Sequence, residues 1–460
     1  MKKKIIILIS FAVLILFFLI PPINGLSQSG MRLIGIALST LILWLFVGID
    51  WPSILLIGLL SLLPELSMNT IIQSSYGNST ILFLLLTFIL TYSLSKTVYI
   101  NKIAIMFITC KLAYKSTLNF ILFYSLSILF IGMFISPTVL FFVFLPILYK
   151  IYELLKIEKG DKLANILMIL TVLMSGISSG MTPIAHAFPI TAIGLYEKMY
   201  QTTISYLDYM IIGIPTGIIT ALIIIFILSF TIKNKYNLNL DLLKANKPNK
   251  SEKIILIVFI IVVLMWILPS FPIDMLSNIK SLGIVFPPLL GVVALSIISY
   301  DGKPLLDFSD ALKNGVNYPS IIMCAGALAL ASAITNNDIG ILTYITNSLS
   351  AFLVNLDEFF IILIFALWAI IQTNFSSNLV TASVVTTAAL AITSNLNIDV
   401  QQLVIVIGIL ASFSFATPSA MPCVAVATSS GYTPTSKMFI YGLITMLISV
   451  IIIMLMTILV

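Results

Sequence analysis

Two kinds of short polar motif interrupt the apolar sequence, and each kind occurs once in each half of the chain. The first kind is Ser-Pro-Thr at 136–138 and Ser-Asn-Leu at 377–379; the second is Thr-Pro-Ile-Ala at 182–185 and Thr-Pro-Ser-Ala at 417–420. Proline removes a backbone donor and clashes with the preceding turn, so a continuous helix through these motifs is disfavoured. The exposed hydroxyls and carbonyls suit a weakly held cation, and helix N-termini suit an anion.

The surrounding composition indicates that these motifs lie at membrane depth. Of the 460 residues 60% are hydrophobic and only 9% are charged, which is too little polar surface for a soluble globule. The net charge of +6 comes from lysines in connecting segments, which marks cytoplasmic loops and not a nucleic-acid partner. The three cysteines are scattered through the chain and are read as small buried residues.

The elements that must position these motifs form two similar halves. A membrane tolerates non-helical backbone only where it is buried in protein or lines a wet cavity, so four paired breaks predict one shared site. The predicted organisation is an N-terminal helix at 1–30, a first repeat at 31–232 (hairpin 118–149, broken helix 163–198), a basic cytoplasmic loop at 233–253, and a second repeat at 254–460 (hairpin 359–393, broken helix 401–428).

The lysine distribution predicts that the two repeats have opposite orientations. The stretch 96–115 contains four lysines, typical of a helix at the cytoplasmic interface, whereas its counterpart at 336–358 contains no Lys or Arg. We therefore expect an all-α membrane protein with about 11 transmembrane helices plus two re-entrant hairpins in two inverted-topology repeats. It is predicted to lie in the cell membrane with a cytoplasmic N-terminus and an extracellular C-terminus.

His186 is the only histidine, and it follows the first Thr-Pro motif. A neutral imidazole there could donate one hydrogen bond to an anion and a protonated one would add charge; the alternative is a satisfied histidine beside broken backbone. No Asp or Glu lies near the four breaks. Proton coupling usually needs an intramembrane carboxylate relay, so sodium held by neutral oxygens is favoured as the coupling ion.

The ordered motifs resemble those of the divalent anion:sodium symporter family, the sodium-coupled carboxylate and sulfate transporters. The likeness covers nearly the whole chain and includes Leu-Pro-Ile at 145–147, Phe-Ser-Ser-Asn-Leu-Val-Thr at 375–381 and Ser-Ser-Gly-Tyr at 429–432. The sequence departs from the family pattern at Pro137, where the family has asparagine, and at Leu379, where it has threonine. Where the family has a Gly-Thr-Pro-Pro-Asn-like segment, this chain has Ala-His-Ala-Phe-Pro at 185–189 and Ala-Met-Pro-Cys-Val at 420–424.

This resemblance implies an elevator-type, homodimeric transporter whose moving domain contains both hairpins and both broken helices. It implies a small anionic substrate, a di- or other carboxylate, and Na⁺ as the coupling ion. The implied substrate contacts are Ser136, Pro137, Thr138, His186, Ser377, Asn378, Thr381 and Pro422. The implied sodium ligands are Ser136, Gly180, Thr182, Thr373, Asn378 and Ala420, with the glycine and alanine acting through their carbonyls.

Three other functions are weighed against sodium-coupled symport. A sodium-independent anion exchanger would use the same architecture, and Pro137 is its best support. A passive anion channel would need a continuous polar or cationic pore, yet the four motifs contain no Lys or Arg. An enzyme is disfavoured because the sequence contains no phosphate-binding glycine loop, zinc-ligand spacing or nucleophile–base pair.

Overall fold

The computed structural model describes residues 2–23, 25–184, 186–232, 236, 246–268, 282–344, 356–394, 396–418 and 420–459. The predicted basic loop at 233–253 therefore lies partly outside the described residues, as do 345–355 of the predicted interfacial stretch. The described chain is almost entirely helical, which agrees with the all-α prediction. Its strands are a two-residue antiparallel pair, Ser299–Tyr300 with Lys303–Pro304.

The described residues of the first half form eleven α-helices. Their bounds are α1 Lys2–Leu19, α2 Gln28–Phe46, α3 Trp51–Leu60, α4 Met68–Ser74, α5 Ser79–Ser95, α6 Tyr99–Ile108, α7 Thr117–Gly132, α8 Pro137–Leu155, α9 Lys162–Met181, α10 Ala187–Tyr200 and α11 Tyr206–Ser229. A short 3-10 helix at Ala113–Lys115 precedes α7.

Each half of the chain contains one bent helix pair. The described helices that follow this pair in the second half have the same order as those that follow it in the first half. The described helices of the second half are α12 Lys250–Ile267, α13 Phe286–Ile297, α14 Phe308–Asn314, α15 Tyr318–Ile334, α16 Glu358–Phe375, α17 Asn378–Thr393, α18 Val400–Ser412, α19 Pro422–Ser429 and α20 Thr435–Leu459. The pair α4–α5 is bent by 44° and the pair α14–α15 by 71°.

Among the described residues, six helices are long and apolar enough to cross a membrane, or up to eight if each bent pair is one span. This supports a multi-pass membrane protein. The expected number of about 11 transmembrane helices stays a prediction, because several remaining helices have only 10–17 residues. Such short helices are expected where a span is divided between two half-helices or folds back as a hairpin.

Proline accounts for several of the helix boundaries at the polar motifs. Helices α8 and α19 begin at Pro137 and Pro422, because proline is favoured in the first turn, where its missing N–H costs nothing. Helix α9 ends at Met181, and Thr182 is extended (φ −140°, ψ 152°), as expected for a residue that precedes a proline. The polar motifs therefore lie between half-helices.

Helix α9 is the centre of the packing, and its residues from Leu163 to Met181 are all buried. It contacts both arms of the predicted first hairpin, α7 and α8, and it also contacts α11, α18 and α19. Helix α18 packs in turn against α10, α16 and α17. The helices on either side of the first predicted break thus pack on those beside the second.

A second group of helices flanks this centre. Helix α15 packs on α3, α4 and α5, while α5 also contacts α12, α13 and α14. Helix α10 contacts both α5 and α15, so the first broken helix touches this flanking group directly. The boundary between the two groups is where the main polar cavity lies.

Candidate functional site

A cavity of about 770 Å³ lies between the first hairpin tip and the flanking helices. One wall is formed by the tip at 135–139, by 186–188 at the start of α10, and by Pro422 at the start of α19. The opposite wall is formed by the C-terminal end of α5 and by 314–317 with 319–320, where α14 meets α15. Five predicted substrate contacts line this cavity: Ser136, Pro137, Thr138, His186 and Pro422.

Four helices begin at the cavity wall, namely α8, α10, α15 and α19. The residues before three of them, Ser136, His186 and Met421, make no side-chain hydrogen bond to the helix in the described structure. The first amide groups of these helices are therefore left to other acceptors, and each helix N-terminus carries a partial positive charge. Converging N-termini of this kind favour an anion.

His186 lies at the first break and is only 1% exposed. Its Nε2 atom is 2.9 Å from the carbonyl oxygen of Gly132, the last residue of α7. A carbonyl oxygen only accepts hydrogen bonds, so Nε2 carries the proton and donates it to Gly132. Donation from a neutral His186 to an anion stays a prediction, and it would require the ring to release its hydrogen bond to Gly132.

Lys96 is the residue with a formal charge among those that line the cavity. Its ammonium group lies 4.8 Å from the centre of the Tyr92 ring, and the Tyr92 hydroxyl donates a 2.8 Å hydrogen bond to Asp310. Side-chain hydrogen bonding to Tyr92 raises the pKa of Lys96 above its ordinary value, so the exposed amine stays charged. Sequence reasoning missed this cation, since it considered only the four motifs.

The second hairpin tip does not line this cavity. The side-chain amide of Asn378 is 3.4 Å from the carbonyl oxygen of Ser412, at the C-terminal end of α18. Thr381 donates to the carbonyl of Ser377 within its own helix, at 3.1 Å. Ser377, Asn378 and Thr381 are therefore not among the residues that line the cavity with the first tip, and their contact with substrate stays a prediction.

The residues proposed as sodium ligands form two groups around the helix breaks. Thr373 donates to the carbonyl of Ala411 beside Asn378, and Ala420 belongs to the turn that starts at Thr417. In the other half, Thr182 donates to the carbonyl of Met133 at 2.7 Å, next to the first tip.

The side of Gly180 that a Cβ atom would occupy packs against the second half of the chain. A Cβ atom at Gly180 would be 2.7 Å from the carbonyl of Ile409 on α18, so its nearest neighbours belong to the second half of the chain. Among the described residues no group of His, Cys, Asp or Glu could hold a metal ion. The available donors are hydroxyl, amide and carbonyl oxygens, which suit a hard monovalent cation.

Asn374 was not anticipated, although it organises the second break. Its side-chain amide donates to the carbonyls of Ile370 and Phe413, and its oxygen accepts from the amides of Phe415 and Ala416. Its own carbonyl accepts from the Thr417 hydroxyl. The available signal was an asparagine inside an apolar run, directly before the Phe-Ser-Ser-Asn tip at 375–378.

The chain is similar in sequence to a family of membrane transporters and to a named transporter. Residues 1–460 match the family described as the sodium:sulfate symporter transmembrane region. The chain is 23% identical over 455 residues to the sodium-dependent dicarboxylate transporter SdcS of Staphylococcus saprophyticus, covering 94% of this chain and 86% of that protein.

Two further relatives are themselves uncharacterized transporters. One, from Haemophilus influenzae, is 24% identical over 329 residues, covering 70% of this chain and 69% of the relative. The other, MJ0672 of Methanocaldococcus jannaschii, is 27% identical over 331 residues and covers 70% of both chains.

Proposed function

Since the chain belongs to the sodium:sulfate symporter family, as the match over residues 1–460 shows, we propose that it is a secondary active transporter that imports a small carboxylate together with sodium. The relative SdcS is named as a sodium-dependent dicarboxylate transporter, which supports a carboxylate with one or more acidic groups as the substrate. Sodium supplies the driving force and compensates the charge of the anion.

The observation that carries this proposal is the convergence of four helix N-termini and Lys96 on one 770 Å³ cavity. Anions are favoured where backbone N–H groups point at the ligand and the helix dipoles are aligned toward it. The hydroxyls of Ser136 and Thr138 add neutral donors beside these amides. A carboxylate binds there without a buried arginine or lysine.

Sodium is assigned to the oxygen-rich breaks that flank the cavity. Thr373, Asn378 and Ala420 form the second site, close to the C-terminal end of α18, where the helix dipole favours a cation. Ser136, Gly180 and Thr182 form the first site. Sodium binding stabilises the irregular backbone at both tips and so prepares the substrate site.

The transport cycle follows from the grouping of the helices. Both hairpins and both broken helices pack together around the buried α9, and this group moves as a rigid body against the flanking helices in an elevator mechanism. The matching helix order of the two halves supports inverted repeats. Lys96 lies on the predicted cytoplasmic side, so the cavity corresponds to an inward-facing state; the flanking helices form the homodimer.

Uptake of radiolabelled acids into proteoliposomes tests this function. An inward sodium gradient is expected to drive accumulation of a mono-, di- or tricarboxylate, and replacement of sodium by choline is expected to abolish it. Counterflow that is equally fast in choline would identify a sodium-independent exchanger instead. That second function is favoured by Pro137, which removes an asparagine side chain from the first tip.

A further inference from the structure

We infer that the transported anion carries a single carboxylate on an apolar carbon chain, so that the substrates are short-chain monocarboxylates. This inference rests on the proposed transport function and narrows its substrate class. It differs from the dicarboxylates for which the relative SdcS is named. It depends on how the two walls of the cavity differ in the side chains that they expose.

The wall that belongs to the moving group exposes mainly apolar side chains. Its described residues are 135–139, 186–188 and Pro422, and none of them is Asp, Glu, Lys, Arg, Asn or Gln. Val139 is 38% exposed, Pro422 is also exposed, and Phe188 is half-buried. A ligand that travels with this wall therefore meets apolar surface that it can reach without any rearrangement of the protein.

The polar part of the same wall suits one carboxylate. Ser136 and Thr138 are half-buried and have their hydroxyl groups at the hairpin tip. The Leu140 amide donates to the carbonyl of Ser136 at 2.9 Å, and the amide of Thr138 precedes it in the first turn of α8, which has no intrahelical acceptors. The thiol of Cys423 donates to the Pro137 carbonyl at 3.7 Å, so the start of α19 lies against the start of α8. These donors gather at one end of the wall.

The charged and amide side chains lie on the opposite wall, which belongs to the flanking helices. Lys96 directly after α5, and Asn314 and Asn317 near the junction of α14 with α15, are exposed there. Among the described lining residues, these are the available partners for a second carboxylate. An acid held by both walls ties the moving group to the flanking helices. If the acid instead travels with the moving wall, its second carboxylate loses water without gaining a partner, which is costly.

Pairs of acids with equal carbon number test this inference on the unmodified protein in proteoliposomes. The pairs are butyrate with succinate, pentanoate with glutarate, and hexanoate with adipate. Initial rates in choline are subtracted from those in sodium, which removes passive diffusion of the protonated acids. The kcat/KM of each monocarboxylate is expected to exceed that of its dicarboxylate by at least about tenfold, because the second carboxylate is unpaired on the moving wall.

Chain length gives a second readout in the same experiment. Each methylene group that is buried against the apolar wall is expected to lower the KM of the monocarboxylate by about 2- to 4-fold, with fourfold as the value for full burial. A dicarboxylate whose kcat/KM equals or exceeds that of its monocarboxylate would overturn the inference. So would a KM that does not change between acetate and hexanoate.

Two matched variants of α8 locate the apolar chain. Val139→Thr and Val143→Thr are the same nearly isosteric exchange one turn apart, and Val143 is half-buried and does not line the cavity. Val139→Thr places a hydroxyl against the carbon chain and is expected to raise the KM for hexanoate about 3- to 10-fold, with little change for acetate. Equal KM values for hexanoate in the two variants would overturn the inference.

Failure of this inference is distinguishable from failure of the proposed function. If none of the acids is taken up with sodium, the proposed function fails. If dicarboxylates are taken up with sodium as well as their monocarboxylate partners, sodium-coupled carboxylate transport stands and only the inference of a single carboxylate fails.

Discussion

The side-chain oxygen of Asn374 accepts a hydrogen bond from the backbone amide of Phe415, at 2.9 Å, across the break between α18 and α19. The same oxygen accepts from Ala416 at 2.9 Å. One residue at the end of the second hairpin arm thus replaces the hydrogen bonds that the interrupted helix lacks. The hairpin and the broken helix are joined by this contact, so the shape of one depends on the other.

Replacement of Asn374 by leucine is expected to destabilise the protein by about 3 kcal/mol. The change keeps the side-chain volume roughly constant but leaves two buried backbone amides without acceptors, each at a cost of about 1–3 kcal/mol. Thermal unfolding of the detergent-purified protein measures the effect. Gln372→Leu, two residues earlier on a half-buried position of the same helix, is the matched control, and equal melting temperatures for the two variants would contradict the role of Asn374.

Gly132→Ala is expected to lower both stability and uptake. The added methyl group would overlap the Ser178 hydroxyl on α9, and overpacking of this kind costs about 1–3 kcal/mol. Gly58→Ala is the control, because no atom lies within 4 Å of a Cβ there and the exchange in a helix stabilises by about 0.5–1 kcal/mol. Ser178→Gly in the Gly132→Ala background removes the two closest atoms and leaves a 2.7 Å approach to the terminal methyl group of Leu140, so it should recover part of the activity. Identical behaviour of the two alanine variants would exclude a close-packing role.

The features that could be predicted from the sequence are those that the local chemistry of the chain determines. Pro137, Pro183 and Pro418 lie at the start of a helix or between helices, as the loss of a backbone donor favours. Pro146 and Pro215 lie inside α8 and α11, so proline alone does not mark a break. The apolar composition around them indicates a membrane. The resemblance to a symporter family is confirmed by the match over the whole chain.

The rest could not be predicted, because it depends on contacts between distant parts of the chain. Lys96 and the segment 314–320 carry no motif and reach the cavity only through the packing of α5 with α14 and α15. The partner of His186 is a backbone carbonyl at Gly132, which has no side-chain signal. Asn374 is one buried amide whose acceptors and donors appear only when the second break is folded.

Asn378→Ala is expected to raise the sodium concentration required for half-maximal uptake, by about tenfold if one ligand contributes about 1.4 kcal/mol. Asn378 lies beside the C-terminal end of α18, where its amide contacts the Ser412 carbonyl. Sodium titrations of uptake measure the shift. Thr393→Val removes a hydroxyl from the same helix far from the tip, and a sodium dependence unchanged from that control would refute the assignment.

Lys96→Gln is expected to raise the KM for the anion about 2- to 5-fold, because an exposed charge contributes up to about 1 kcal/mol. The effect should shrink at high ionic strength, where the attraction between Lys96 and an approaching carboxylate is screened over about 10 Å at 0.1 M salt. Lys102→Gln is a close control: Lys102 also lies over a tyrosine ring, 5.9 Å from the centre of Tyr99, but it does not line the cavity. Initial uptake rates across substrate concentrations, at low and high salt, separate the two variants. An equal rise of KM in both would mean that general surface charge attracts the substrate, and no rise in Lys96→Gln would remove Lys96 from the binding path.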